Sequence, residues 1–359
     1  MNKFKLKKIQ WAVAIALLST MTFTSCSDDD PSFDPYFPTT GNSIYIVNQG
    51  NYYSGIEGTI GAINYSTGTY VDSLFIRANN ISLGNTPQHA IISGSKMFIA
   101  VYGSNVIWVV NKQTLKKIAQ IQSPAPRYFV AEGKFVYVSS HDGIVTRIDT
   151  VSHQTTTVNV GPNPEEMTIA NGYLYVTNSD GLNYGNNYEN GKTVSKIDLA
   201  SFREVKKINV GLNPTKIQKD ADNNIFVLAM GDYMSTPSVI QKITADDKVT
   251  DFAKSQMMAI NGRTMYLISD PYAQPGNIKY VSLNTEKGDT ISKAFVQTGV
   301  ASPADMKIDP SNGHIFITSR KSSTEFNSPG YLNEYDSNGV LLKKYNTGIE
   351  PATIVFNTK

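Results

Sequence analysis

The chain has 359 residues, of which 40% are hydrophobic, and this length and composition allow a sizeable buried core. The formal net charge is only +2 and is spread without long basic runs, which argues against a nucleic-acid partner. Cys26 is the single cysteine, so the fold cannot depend on a disulfide or on a cysteine-based metal site.

The first residues have the pattern of a secretory signal. Four lysines among the first eight residues precede an apolar run at residues 11–18, which is too short to span a membrane. The run leads to Phe23-Thr24-Ser25-Cys26, and small residues directly before a cysteine resemble a bacterial lipobox, although Leu is more usual than Phe23. We expect a lipoprotein signal peptide over residues 1–25 and lipidation of Cys26. An ordinary signal that leaves Cys26 as a free thiol is the alternative.

Residues 26–42 are predicted to form a flexible tether. Aspartates occupy positions 28–30, and an acidic run just after a lipidated cysteine resembles the signal that exports lipoproteins of some Gram-negative gut bacteria to the outer face of the outer membrane. The following residues, 31–41, are rich in Pro, Asp and Thr, which favours a spacer. We therefore expect the globular domain, residues 43–359, to reach the membrane only through the lipid anchor.

From residue 43 onward the chain repeats one pattern. Each unit holds four short runs that alternate apolar and polar residues between Gly, Asn, Asp or Pro, which is typical of half-buried strands. A proline opens each unit at intervals of roughly 40 to 50 residues, with Gln256 in the one unit that lacks it. These positions are Pro87, Pro126, Pro164, Pro214, Gln256, Pro303 and Pro351. The pattern predicts an all-β, seven-bladed β-propeller with four antiparallel strands per blade.

The first blade is predicted to be divided between the two ends of the chain. Three N-terminal runs, at residues 43–47, 59–63 and 70–75, have no first strand before them. Residues 352–357 form a first strand with nothing after it. If this C-terminal strand joins the three N-terminal strands, the ring closes without an open sheet edge.

The two faces of the predicted ring differ. On one face, short turns such as Asn171-Gly172 join first to second strands, because these residues tolerate positive φ. On the other, which we call the proline face, the second-to-third loops are long and carry aromatic residues. They span residues 48–58, 178–192, 230–238, 270–277 and 320–330. We expect the proline face to be a binding surface, with loops that only pack and are solvated as the alternative.

The candidate ligand-binding residues are aromatic, polar or charged side chains in these loops or just after the prolines. They are Tyr52, Tyr53, His89, Tyr102, Arg127, Tyr128, His141, Tyr184, Tyr188, Asp232, Tyr233, Tyr272, Arg320 and Phe326. This mixture suits a bulky polar organic ligand, because rings supply contact area and polar groups fix orientation.

The sequence resembles the YVTN-repeat propellers. Residues 175–178 spell Tyr-Val-Thr-Asn, and the same frame recurs at residues 98–101, 135–139, 225–228, 265–268 and 315–318. The resemblance covers residues 43–357 and implies the fold, which hosts several functions. With the lipobox and the acidic run, the layout resembles the surface lipoprotein propellers of gut bacteria that capture vitamin B12.

That resemblance implies a ligand, a partner and a location. The ligand would be cobalamin or another corrinoid, delivered to a TonB-dependent outer-membrane transporter by a lipid-anchored protein that faces the cell exterior and is otherwise a monomer. Tyr rings could cover the corrin, Arg127 or Lys216 could bind the phosphate, and His89 or His141 are optional cobalt ligands. A propeller lipoprotein that binds a glycan or a partner protein is the alternative.

The sequence motifs do not support an enzymatic function. The spacings His-x-x-x-His, His-Glu-x-x-His and Gly-x-Ser-x-Gly do not occur. Propeller lactonases that resemble this fold hold a metal in the channel, and the side chains that could do so here are Glu165, Glu166, Asp180, Asp305 and Glu350. We predict no catalytic residue, metal or cofactor, and keep a channel-metal lactonase or hydrolase as a second alternative.

Overall fold

The computed structural model describes residues 43–64 and 67–357. The predicted signal peptide, the lipidation at Cys26 and the tether lie outside these residues. In the described part of the chain, no helix is both long and apolar enough to cross a membrane.

The predicted seven-bladed β-propeller is confirmed: the described residues form seven four-stranded antiparallel sheets. The chain begins in blade 1 with β1 (Ser43–Asn48), β2 (Thr59–Asn64) and β3 (Thr69–Val71). Blade 2 comprises β4 (Pro87–Ser93), β5 (Lys96–Val101), β6 (Val106–Asn111) and β7 (Lys117–Gln122). Blade 3 comprises β8 (Pro126–Glu132), β9 (Phe135–Ser140), β10 (Ile144–Asp149) and β11 (Thr155–Asn159). Blade 4 comprises β12 (Pro164–Ala170), β13 (Tyr173–Asn178), β14 (Thr193–Asp198) and β15 (Arg203–Asn209). Blade 5 comprises β16 (Pro214–Lys219), β17 (Ile225–Ala229), β18 (Val239–Ile243) and β19 (Val249–Ala253). Blade 6 comprises β20 (Met257–Asn261), β21 (Thr264–Ile268), β22 (Tyr280–Asn284) and β23 (Thr290–Ser292). Blade 7 comprises β24 (Ser302–Ile308), β25 (Ile315–Arg320), β26 (Pro329–Tyr335) and β27 (Leu341–Ile349), and the chain then returns to blade 1 with β28 (Pro351–Asn357).

Blade 1 is closed by the C-terminal strand, as the sequence predicts. β28 is the innermost strand of this blade and pairs antiparallel with β1, with Ile46 opposite Ile354. The strand begins at Pro351, one position before the predicted start. All the pairings that close the ring therefore lie within residues 43–357.

The blades adhere through hydrophobic clusters between neighbouring sheets. Between blades 3 and 4, for example, Tyr137 and Val145 pack with Met167, Leu174 and Val176. Burying each such aliphatic side chain stabilises the fold by about 1.5–3 kcal/mol relative to exposure. The second strands are buried almost throughout, whereas outer strands such as β11 are largely exposed.

Residues 70–75 are not one strand, and the prediction for this run is wrong. β3 ends at Val71, and Leu74–Asn79 form the helix α1. The Asp72 carboxylate accepts hydrogen bonds from the Thr59 hydroxyl and the Ser73 backbone N–H, and Ser73 has φ of 60°, which turns the chain. The turn directs Leu74 and Phe75 into the core beside blade 2.

Four second-to-third loops contain a short 3-10 helix. These helices are Tyr52–Ser54, Tyr102–Ser104, Tyr184–Asn186 and Pro275–Asn277. On the opposite face, Asn171 and Gly172 both have positive φ (51° and 81°), as a tight two-residue hairpin requires. Each innermost strand runs from the proline face to this short-turn face, so later residues of the strand lie nearer the short turns.

Candidate functional site

Two cavities lie along the axis of the ring. The proline-face cavity has a volume of about 400 Å³, and the short-turn-face cavity has a volume of about 490 Å³. Each is lined by residues of all seven innermost strands, and the two share only Tyr128 and Glu166. Between them lies what we call the axial polar layer, formed by Gln88, Arg127, Tyr128, Glu165, Glu166, Lys216 and Asp305.

A backbone irregularity places these residues. In several innermost strands the register to the second strand shifts just after the opening residues, as between Pro126 and Phe129 and between Pro164 and Met167. Such bulges re-aim the side chains beside them. The polar residues that follow the prolines are thereby brought to the axis from different blades.

Arg127 and Glu165 form a bidentate ion pair in this layer. Nε and Nη2 of Arg127 donate to Oε2 and Oε1 of Glu165 at 2.9 and 3.0 Å, and Nη1 donates to Oε1 of Gln88 at 2.7 Å. Burial opposes ionisation of the Glu165 carboxyl, but the Arg127 guanidinium and the His141 ring outweigh it and hold its pKa below the ordinary value. The guanidinium also stacks over the rings of Tyr102 and Tyr128, each at 5.3 Å.

His141 is oriented by the same carboxylate. Its Nε2 lies 2.9 Å from Oε1 of Glu165, and because an ionised carboxylate only accepts, Nε2 is the donor. The other ring nitrogen, Nδ1, is buried and has no hydrogen-bond partner among the described residues. The Tyr102 ring packs edge-on against the imidazole, 5.3 Å away. His141 is thus held between Glu165 and Tyr102.

Lys216 is also held by carboxylates. Its Nζ lies 3.1 Å from Oε1 of Glu166 and 3.9 Å from Oδ1 of Asp305. Burial would lower the pKa of Lys216, but the two carboxylates raise it well above the ordinary value. For Tyr128, burial has the opposite effect and raises the pKa to about 12. Its phenol is therefore neutral, and it accepts a hydrogen bond from Gln88 at 3.1 Å. The two cations of the layer are thus neutralised within the protein, and a ligand phosphate would have to compete with their carboxylates.

Five of the predicted site residues meet at the proline-face cavity: Arg127, Tyr128, Tyr233, Tyr272 and Arg320. Tyr233 and Tyr272 are 56% and 61% exposed, so their rings border the cavity and face solvent. Arg320 pairs with Glu350 at 2.6 Å and stacks on Phe326 at 5.5 Å.

A smaller cavity adjoins this site. It has a volume of about 210 Å³ and is lined by His141, Tyr188 and Tyr233 together with Ser179 and Asn213. The rings of Tyr188 and Tyr233 lie 6.2 Å apart in an edge-to-face arrangement.

Other predicted site residues are not brought to these cavities. Tyr52, Tyr53 and Tyr184 lie on the exposed 3-10 helices of the loops. The Asp232 carboxylate shapes its own loop by accepting from the backbone N–H groups of residues 234 and 236. His89 instead lines the short-turn-face cavity, because it lies further along its innermost strand than Gln88 of the axial polar layer. Its ring packs against the rings of Tyr128 and Phe129.

Several residues of the site are not among the predicted ligand-binding residues. Gln49, Met230 and Asn213 line the proline-face cavity or its smaller neighbour. The Gln49 amide donates to Oε1 of Gln88 at 2.9 Å. Gln49 and Met230 each come directly after the last residue of a second strand. Beyond that residue the apolar–polar alternation no longer indicates which way a side chain points, so only their position beside the long loops could indicate that they belong to the site.

The carboxylates proposed for a channel metal do not assemble into a metal site. Among the described residues, no group of three or more His, Cys, Asp or Glu side chains is placed to hold a metal ion. Asp180, for example, accepts hydrogen bonds from the Asn183 amide and the Asn190 backbone within its own loop.

The fold places the chain among the seven-bladed β-propellers. A quinonprotein alcohol dehydrogenase-like protein from Bacteroides thetaiotaomicron aligns with a TM-score of 0.66 at 15% identity, covering 90% of this chain and 79% of that chain. Hydrazine synthase from Kuenenia stuttgartiensis aligns at 0.60 and 16% identity, covering 75% and 89%, and apo AztD from Citrobacter koseri at 0.54 and 10%, covering 89% and 98%. At these identities the similarity shows the fold alone. No protein-family model and no curated protein matches the sequence.

Proposed function

We propose that the protein binds cobalamin or a related corrinoid across the mouth of the proline-face cavity. The observation that carries this proposal is a polar axial depression bordered by exposed aromatic rings from several blades. A corrinoid combines a broad flat macrocycle with amide arms and a phosphate, so it needs both kinds of contact at once.

The aromatic rings supply contact area for the macrocycle. Tyr233, Tyr272 and Phe326 are 56%, 61% and 47% exposed and come from three different loops. Exposed rings gathered on one rim favour a binding surface, because covering them removes apolar area from water. The cavity of about 400 Å³ is smaller than a corrinoid, so the ligand would lie over it and against the loops.

The polar groups suit the amide arms. Gln49, Gln88 and Gln256 line the cavity, and each side-chain amide can both donate and accept hydrogen bonds. His141 lines the adjoining cavity together with Asn213, whose amide can donate and accept. The three cations that line this cavity in the described part of the chain, Arg127, Lys216 and Arg320, are each paired with a carboxylate, so a ligand phosphate would compete with Glu165, Glu166 or Glu350 for its contact.

The loops are organised by their own hydrogen bonds before a ligand arrives. Asp232 holds the β17–β18 loop, and in the β1–β2 loop Asn51 pairs with Ile56. Preformed loops reduce the conformational entropy that is lost on binding, which favours high affinity.

We further propose delivery of the ligand to a TonB-dependent transporter by a protein anchored through Cys26 at the outer membrane and facing the cell exterior. These proposals rest on the sequence of residues 1–42, and no catalytic step is assigned. A glycan or a protein ligand on the same face is the competing outcome.

Tyr233→Ala and Tyr272→Ala test the contact surface. Each substitution is expected to weaken cyanocobalamin binding about tenfold, which corresponds to about 1.4 kcal/mol, because a ring that borders the cavity is lost. The control is Val151→Ala, since Val151 is 79% exposed in a β10–β11 turn on the short-turn face and should not affect affinity. Equal affinities for all four proteins, measured by calorimetry, would exclude these loops from the site.

A further inference from the structure

The short-turn-face cavity takes no part in the proposed function. Apart from the shared Tyr128 and Glu166, its lining residues come later in each innermost strand than those of the proline-face cavity, so it lies beyond the axial polar layer. On β24, Asp305 belongs to that layer, and Lys307 lies two residues further along the same side of the strand and lines this cavity. Its volume, about 490 Å³, falls in the range of small-molecule sites, roughly 300–1,000 Å³.

Lys307 gives the cavity an unneutralised positive charge. Within residues 43–64 and 67–357, its half-buried side chain has no carboxylate at ion-pair distance and no hydrogen-bond acceptor. Glu166 also lines the cavity, but its carboxylate is bonded to Lys216 at 3.1 Å. A partly buried cation without a counter-ion attracts an anion more strongly than a cation in open water does.

His89 adds a second donor to the same cavity. The Phe129 backbone N–H donates to Nδ1 of His89 at 3.3 Å, so in the neutral ring Nε2 carries the proton. Burial, together with the Lys307 and Lys216 ammonium groups, lowers the pKa of His89 well below its ordinary value, so the ring is neutral. In the described part of the chain no acceptor bonds to this Nε2–H group.

We propose that the short-turn-face cavity binds a small organic anion, with a carboxylate at Lys307 and His89 and an apolar body among the aliphatic residues of the innermost strands. An ammonium and an N–H group suit the two oxygens of a carboxylate. Ile217, Ile308 and Ile354 are among the apolar residues that line the cavity. This site is independent of the corrinoid site, since the axial polar layer separates the two cavities.

The test is calorimetric titration of 2-naphthoate into the protein produced from Gly41 onward, which contains every strand of the ring. We expect saturable one-to-one binding. The neutral analogue 2-naphthamide should bind at least about tenfold more weakly, and Lys307→Met should weaken naphthoate binding by at least about tenfold, because each removes one half of a charge-assisted contact.

Controls separate this site from non-specific attraction. Lys293→Met removes an exposed cation just after β23 and should leave the affinity unchanged, as should Tyr272→Ala on the proline face. If Lys307→Met fails to melt cooperatively, Lys307→Arg should keep the affinity and Lys307→Gln should lose it. The proposal is overturned by the absence of saturable binding, by equal affinity for 2-naphthamide, or by Lys307 variants that bind like Lys293→Met.

Discussion

The Arg127–Glu165 pair shows how the axial charges are held. The side chains are only 16% and 9% exposed, so both charged groups have lost most of their water. Desolvation makes such a pair of little net benefit, yet loss of one partner leaves a buried charge without compensation. The pair therefore fixes the geometry of the layer more than it adds stability.

Glu165→Gln is expected to lower the free energy of unfolding by about 3–5 kcal/mol, because Arg127 keeps its buried charge without a carboxylate. Urea unfolding measures the change. The matched control is Asp222→Asn, which breaks the Arg263–Asp222 pair, also bidentate but solvent-exposed, and should have little effect. Similar losses in both variants would show that burial does not determine the cost.

The same carboxylate makes stability depend on pH. The pKa of Glu165 lies below its ordinary value of 4.5 in the folded protein, so the unfolded chain takes up a proton first as pH falls. The contribution of Glu165 is fully present above pH 4.5 and is lost as pH falls toward the folded pKa. Urea midpoints measured from pH 7 to pH 3 should therefore fall more steeply for the natural protein than for Glu165→Gln; parallel curves would contradict this assignment.

The sequence indicated which residues reach the axis but not how they pair. The position of Arg127 just after a proline predicts that it lies near the axis, and the resemblance to corrinoid-capturing propellers implies a ligand phosphate beside Arg127 or Lys216. The partner of Arg127, Glu165, is 38 residues away in the next blade, and only the register shifts after both prolines bring them together. One sequence specifies neither the shift nor the choice between Glu165 and Glu166 as the partner.

At the scale of elements, the helix α1 replaces part of a predicted strand. The alternation in residues 70–75 fits a strand, and periodicity does not reveal that Asp72 bonds to Thr59 or that Ser73 turns the chain. The packing gives the reason for the helix: Phe75 fills the space beside Trp108, with the ring centroids 5.2 Å apart.

Phe75→Ala is expected to destabilise the protein by about 3–5 kcal/mol, because a fully buried ring is lost and a cavity remains. The control on the same helix is Ile76→Ala, which is 48% exposed and should change the free energy by no more than about 0.5 kcal/mol. Thermal or urea unfolding of the two variants measures both values. A loss below about 1 kcal/mol for Phe75→Ala would show that α1 is not an integral part of the core.

Other elements followed from local chemistry. The proline-led repeat located the innermost strands, and Asn-Gly turns located the short-turn face, since both signals depend on neighbouring residues alone. β28 was also predicted, because residues 352–357 complete a blade that otherwise lacks a strand.

At the scale of the whole molecule, the repeat predicts a closed ring because each blade contributes the same four strands. The repeat does not predict that the axial polar layer separates the central channel into two cavities. It depends on side chains from different blades that meet only after closure, such as Lys216 with Asp305. The two cavities therefore differ in their lining: one is bordered by aromatic loops, and the other contains Lys307, which has no partner within the described part of the chain.

Capture of a corrinoid on the proline face is tested by calorimetric titration of cyanocobalamin into the protein from Gly41 onward. We expect saturable one-to-one binding with nanomolar or tighter affinity. A folded protein that melts cooperatively but gives no saturable heat with cyanocobalamin would show that the proline face does not bind a corrinoid, whatever the same protein does with 2-naphthoate.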